Sequence, residues 1–300
     1  MTEERKQEIL EIIRNTNRRP AQTGKPLYPE EIMAYPNLCE EMESISRTVD
    51  GFSYRMDILR AKNRGKNCPL FINIHGGGFI GPHRENDTYF SAYMADQIHG
   101  IAVDLDYTLS DAAPYPVALH QCMDALDYVA EHANTWGASA KDISVGGYSA
   151  GGALTAAMGI CCAERGGFVP KLQILCYPPL EYRIPDQYKI DAYDRQIGME
   201  RCKAFADLYF DDKKENFEDI HNSPLYAPRE ILAKQPKTLI LSAGLCNFRY
   251  EDEDYAICLA DAGAEVILKR FPEASHGFIP HFMDGWKEAA DLMVREILEK

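Results

Sequence analysis

Strand-like and helix-like segments alternate along most of this chain. That alternation predicts an α/β fold: a mostly parallel central sheet with helices on both faces. Three observations carry the prediction. Short apolar runs at residues 70–74, 101–105 and 172–177 have the length and bulk of buried strands. Longer segments of helical periodicity, at residues 117–132 and 150–163, separate them. Glycine clusters fall where strands end, and sheets of this kind carry their functional loops at the carboxyl ends of the strands.

The elements follow in chain order. Residues 3–19 read as a polar helix with a narrow apolar face of Ile9, Leu10, Ile12 and Ile13, broken afterwards by Pro20, Pro26 and Pro29. A second short helix is expected over 30–43. This block, residues 1–44, holds too little apolar surface to fold alone and is expected to lie over something else. Segments 45–49 and 53–59, parted by Asp50-Gly51, read as a hairpin. Then come strand 70–74, helix 87–98, strand 101–105, helix 117–132, strand 143–147, helix 150–163 and strand 172–177. After an irregular stretch follow strand 238–242, helix 251–262, strand 265–270 and helix 285–298. The irregular stretch, residues 183–236, is rich in Asp, Tyr and Lys and carries a helix at 200–209. An insertion of that size between two strands reads as a lid. The expected organisation is therefore a helical cap made of residues 1–44 and 183–236 over a catalytic domain spanning 45–300.

Composition narrows the functional classes. The 300 residues carry a formal net charge of −14, which repels nucleic acid and anionic membranes at long range. No apolar run approaches the roughly 20 residues that span a bilayer. The start, Met1 to Lys6, has no apolar core or cleavage site of a secretory leader. The nine cysteines are odd in number and show no zinc-site spacing, so reduced thiols in a cytoplasmic protein are expected, with neither metal nor other cofactor.

Three short stretches carry chemistry. Gly147-Tyr148-Ser149-Ala150-Gly151 matches G-x-S-x-G between a strand and an apolar helix. The glycines permit a sharp turn that lifts the serine hydroxyl above the sheet and sets it at a helix N-terminus. Ser149 is the candidate nucleophile. His75-Gly76-Gly77-Gly78-Phe79 follows the strand at 70–74, and its bare N–H groups suit an oxyanion hole, with Gly77 and Gly78 as donors and the Ala150 N–H as a third. A phosphate-binding loop would need Lys-Ser/Thr after the glycines, which is absent. His276, in the loop after the strand at 265–270, is the candidate base, and the order Ser then His is the one this kind of sheet uses.

Taken together with Asp106-Tyr107 through Pro116 to Asp124, Tyr177-Pro178, Ser223-Pro224-Leu225, Ala243-Gly244, Tyr255-Ala256 and His276-Gly277-Phe278, these pieces resemble the hormone-sensitive-lipase-like carboxylesterases and acetyl esterases of the α/β-hydrolase superfamily. The resemblance covers roughly residues 68–280. It implies the α/β-hydrolase fold, a helical cap, hydrolysis of small short-acyl esters and no metal. It also implies a catalytic aspartate just after Ala-Gly-x, and here Cys246 stands in that place. A neutral thiol is a weak acceptor for an imidazole N–H. Three readings stay open: an acid from elsewhere, with Glu251 and Glu181 as alternates; a Ser-His dyad that turns over slowly; or a silent site. A ligand-binding protein that has kept the fold and a serine peptidase of the same superfamily are the rival functions. The strand at 265–270 offers an edge for a homodimer, which nothing in the sequence requires.

Overall fold

The computed structural model describes residues 1–16, 28–184 and 197–299. Eight strands form one sheet: β1 Glu43–Val49, β2 Phe52–Arg60, β3 Cys68–Ile74, β4 Ile101–Asp106, β5 Ala138–Tyr148, β6 Leu172–Cys176, β7 Lys237–Ala243 and β8 Val266–Phe271. Their spatial order is β1-β2-β4-β3-β5-β6-β7-β8. β1 and β2 form an antiparallel hairpin turned by Asp50 and Gly51, both at positive φ, which matches the twist of the strands. β2 runs antiparallel to β4, and every pairing from β4 to β8 is parallel.

Parallel strands covered on both faces must be apolar throughout. Leu70, Phe71, Ile72 and Ile74 of β3 and Leu172, Ile174, Leu175 and Cys176 of β6 have no exposed surface. Helices Val117–His132 and Ala150–Arg165 pack into one core cluster, and Glu85–Gln97 and Trp286–Leu298 into another. β5 begins earlier than its apolar run, and its pairing with β3 shifts register between Cys68 and Leu70. All nine cysteines are free thiols. Among the described residues no helix is long and apolar enough to cross a membrane.

Two sequence expectations change at their edges. The helix expected over 30–43 is instead one turn, Glu30–Met33, followed by a 3-10 turn at Tyr35–Leu38, after which the chain extends into β1. Pro36 lacks the N–H that would continue an α-helix. The first helix spans Glu3–Asn15, and the rest of that expectation, residues 17–19, lies outside the described residues, as does 185–196 of the irregular stretch.

The first helix buries a single residue, Ile9, against Ala204 and Leu208 of helix Met199–Tyr209, with Ile80 at the border of the cluster. Arg5 donates to Asp207 at 3.1 Å, and the Met1 amino group to Asp211 at 2.7 Å. The two chain segments that sequence reading assigned to a cap therefore touch each other. An unpaired carboxylate in that apolar contact is costly, so Ile9→Asp should release the first helix. Amide exchange should then quicken across 3–15 and 199–209 while β3 and β6 stay protected. Unchanged exchange in both helices would mean that Ile9 is not the anchor.

Candidate active site

The turn at the end of β5 places Ser149 at φ 55° and ψ −121°, a conformation that L residues adopt only when the surroundings enforce it. The enforcement is visible. The Ser149 N–H donates to the Cys176 carbonyl at 2.9 Å, and helix Ala150–Arg165 begins at the next residue. The loop after β3 lies directly against this turn: a Cβ on Gly76 would stand 2.6 Å from the Tyr148 carbonyl oxygen and 3.3 Å from Ser149 Cβ. Gly78 has φ +63°, and a Cβ there would stand 2.4 Å from the Phe205 ring. His75 holds the loop from behind. Its ring stacks on Tyr107 at 4.3 Å, and the Tyr107 hydroxyl donates to the His75 carbonyl at 3.2 Å.

His276 Nε2 lies 2.8 Å from Ser149 Oγ. If Nε2 accepts the serine proton, Nδ1 must carry the ring hydrogen. Nδ1 lies 3.1 Å from Cys246 Sγ, so the thiol is its acceptor. The Phe248 N–H also donates to that sulfur, at 3.4 Å. Glu251 and Glu181, the two alternates for the acid, are engaged elsewhere. Glu251 Oε2 accepts the Leu180 N–H at 2.7 Å. Glu181 accepts the N–H groups of Arg183 and Ile184 and the Tyr226 hydroxyl. The structure thus brings Ser149, His276 and Cys246 into one hydrogen-bonded row, beside the glycine loop.

Burial sets the protonation of this row. Loss of water pushes the His276 imidazole down to about 3, and the charge of His281 adds to the shift. Burial first, and then the carboxyl groups of Asp252 and Glu251, hold the Cys246 thiol well above its ordinary range. Serine, imidazole and thiol are all neutral at pH 7. A cavity opens on Ser149, walled by Gly78, Phe79, Ala150, Phe205 and Phe248 among others. Phe205, with Cys202 and Ala206, comes from helix Met199–Tyr209. Among the described residues, no three His, Cys, Asp or Glu side chains are grouped to hold a metal ion.

A family model described as the alpha/beta hydrolase fold matches residues 71–280. This chain belongs to that family. Among its curated relatives, the esterase LipI of Mycobacterium tuberculosis is 30% identical over 217 residues, covering 71% of this chain and 66% of LipI. The carboxylic ester hydrolase LipN of the same organism is 31% identical over 243 residues, covering 75% of this chain and 61% of LipN. The chain thus spans a little under two thirds of the length of these relatives. The structure of a hyperthermophilic esterase from Pyrobaculum calidifontis superposes with a TM-score of 0.81 at 22% identity, covering 99% of this chain and 98% of the other. At that identity it speaks for the fold.

Sequence reading missed Asp252. It is fully buried in the first turns of helix Arg249–Ala262, where its carboxyl group faces the Ser242 hydroxyl. A signal was present: Asp252 shares a helical face with the buried Tyr255, Ala256 and Leu259. Burial holds its carboxyl well above the ordinary range. The folded chain therefore keeps this proton to higher pH than the unfolded chain, and stability falls as pH rises from about 4 towards the folded value. Asp252→Asn removes that term. It should flatten the fall of Tm between pH 5 and 8. A variant whose Tm falls as steeply as the parent's would show that Asp252 does not set this dependence.

Proposed function

We propose that this chain is a serine carboxylic-ester hydrolase acting on small short-acyl esters through an acyl-enzyme. The observation that carries the reading is the 2.8 Å contact of Ser149 Oγ with His276 Nε2 at a strand-to-helix turn faced by a glycine loop. The names of LipI and LipN support it from the side of the relatives. Ser149 Oγ attacks the ester carbonyl as His276 Nε2 takes its proton. The carbonyl electrons move to the oxyanion, received by the N–H groups of Gly77, Gly78 and Ala150. Collapse breaks the bond to the alcohol, and His276 returns the proton to it. Water, deprotonated by the same imidazole, then releases the acid. The substrate is a small molecule. No nucleic acid, membrane or cofactor enters this reading, and we place the protein in the cytoplasm. Residues 1–44 and 183–236 act as the cap: helix Met199–Tyr209 brings Phe205 and Cys202 to the cavity, and the first helix packs on that helix without lining the cavity among the described residues.

Cys246 occupies the position of the triad acid and weakens the enzyme. A thiol gives the imidazolium no negative charge to lean on, and a base whose pKa lies near 3 has little driving force to take a proton at neutral pH. Where an aspartate fills this role, losing it costs about 10⁴-fold in kcat.

Two outcomes are expected. Ser149→Ala should abolish both turnover of a small acetyl ester and labelling by a fluorophosphonate. Labelling that survives in the variant would remove Ser149 from its role. Cys246→Asp should raise kcat on the order of tenfold or more at pH 8, since a charge-assisted hydrogen bond is about twice as strong as a neutral one and each ~1.4 kcal/mol is tenfold. It should also move the acid limb of kcat/KM to higher pH, because a carboxylate at Nδ1 raises the imidazole pKa. An unchanged rate, with Glu251→Gln or Glu181→Gln crippled instead, would place the acid elsewhere. A parent protein with no turnover and no labelling would favour the ligand-binding alternative that Cys246 suggests.

A further inference from the structure

The cavity that opens on Ser149 has a volume of about 40 Å³. That is room for about three water-sized groups, at about 10–15 Å³ each. An acetyl group has three heavy atoms, and each further methylene needs another such space. Much of the wall is aromatic, and its rings differ in how they are held. Phe79 is buried and stacks on Tyr209 at 3.7 Å. Tyr182 meets Phe210 edge-on at 4.9 Å, and Phe248 meets the His276 ring at 5.6 Å. Phe205 is only half-buried and reaches the cavity from helix Met199–Tyr209. Its ring lies so close over Gly78 that a Cβ there would stand 2.4 Å from it.

Phe205 is set in place from outside the cavity. The Arg201 guanidinium lies over the ring, with Cζ 4.9 Å from its centroid. A cation in that position is attracted to the negative face of the ring and steadies it. Arg201 also donates to the Ile13 carbonyl at 2.5 Å, and Ala204, beside Phe205, packs with Ile9. The first helix, which does not line the cavity among the described residues, thus fixes a ring that does. Chemistry says which half of an ester meets that ring. A carbonyl carbon bonded to Ser149 Oγ turns its oxygen to the N–H groups of the glycine loop. It turns the leaving oxygen to His276 Nε2, which lies 2.8 Å from Oγ. The acyl chain takes the direction that remains, away from the imidazole and into the cavity that Phe205 closes.

We propose that Phe205, held by Arg201 and the first helix, is the residue that restricts the acyl half of the substrate to an acetyl group. This deepens the esterase reading and rests on it for turnover, though not for the size of the cavity. The test compares phenyl acetate with phenyl butyrate, which share an alcohol half and differ by two methylenes. In the parent enzyme kcat/KM should favour the acetate by tenfold or more, since one methylene too many in a closed pocket costs about 10–200-fold. Phe205→Ala should bring the ratio to one or reverse it, and Phe205→Leu, a smaller disturbance of the helix, should move it the same way. Arg201→Ala should lower the ratio by about threefold. Arg201→Lys, which keeps a cation for the ring and a donor for Ile13, should restore it, whereas a merely structural arginine would lower both rates and leave their ratio alone. Lengthening the alcohol instead, from ethyl to hexyl acetate, should show no such dependence on Phe205. Calorimetry with Ser149→Ala protein reads the cavity without turnover: phenyl acetate should bind at least tenfold more tightly than phenyl butyrate, and adding Phe205→Ala should remove the difference. A parent that takes both esters equally, a ratio unchanged in both Phe205 variants, or a shift that appears only with the longer alcohol overturns the proposal. Selective binding without hydrolysis of either ester would keep the limit set by Phe205 and refute the esterase reading.

Discussion

The site turns on one weak hydrogen bond, from His276 Nδ1 to the sulfur of Cys246 at 3.1 Å. It fixes which ring nitrogen carries the hydrogen, and so leaves Nε2 free to face Ser149. A carboxylate would do the same and would also stabilise the positive charge that forms on the ring. The thiol supplies orientation without charge. Around the buried sulfur that difference is large, because little solvent reaches it to replace the missing counter-charge. Burial holds imidazole and thiol in their neutral forms, so the row rests uncharged; in the proposed reaction charge would separate only as Ser149 gives up its proton.

Everything around the row serves geometry. The sheet brings the ends of β3 and β5 side by side, with Ile74 opposite Gly147. The glycine loop and the serine turn therefore emerge together, and their close contact leaves no room for a Cβ on Gly76. β6, β7 and β8 then set the carriers of Tyr177, Cys246 and His276 in sequence along the same edge. Tyr177 and Phe248 meet the His276 ring edge-on at 5.1 and 5.6 Å, which limits how far the imidazole can turn. In the hydrolysis proposed above, preorganisation of this kind would lower the barrier without a strong base.

Much of this was legible in the sequence because it is local. Gly147 to Gly151 encodes its own turn, and three successive glycines after an apolar strand leave few alternatives. Cys246 could be placed by its offset from Ala243-Gly244. The β1–β2 hairpin followed from Asp50-Gly51. What could not be read depends on contacts distant in sequence. Phe205 lies in a polar helix, and only the packing of that helix on Ile9 brings its ring over Gly78. Glu251 and Glu181 looked equally able to serve His276; their hydrogen bonds to Leu180, Arg183 and Ile184 are set by how the loop after β6 packs on helix Arg249–Ala262. Pro36 is itself a stop signal, and it outweighs the helical pattern around it.

The central claim is that His276 is a neutral base held by a neutral thiol. Nitrogen-15 NMR of the labelled imidazole tests it most directly, since the shifts of Nδ1 and Nε2 report both charge and tautomer. The account predicts one neutral tautomer, protonated on Nδ1, unchanged from pH 5 to pH 9. An imidazole that titrates near its ordinary value of about 6.5 would mean that a negative charge stands beside it, and would contradict the account.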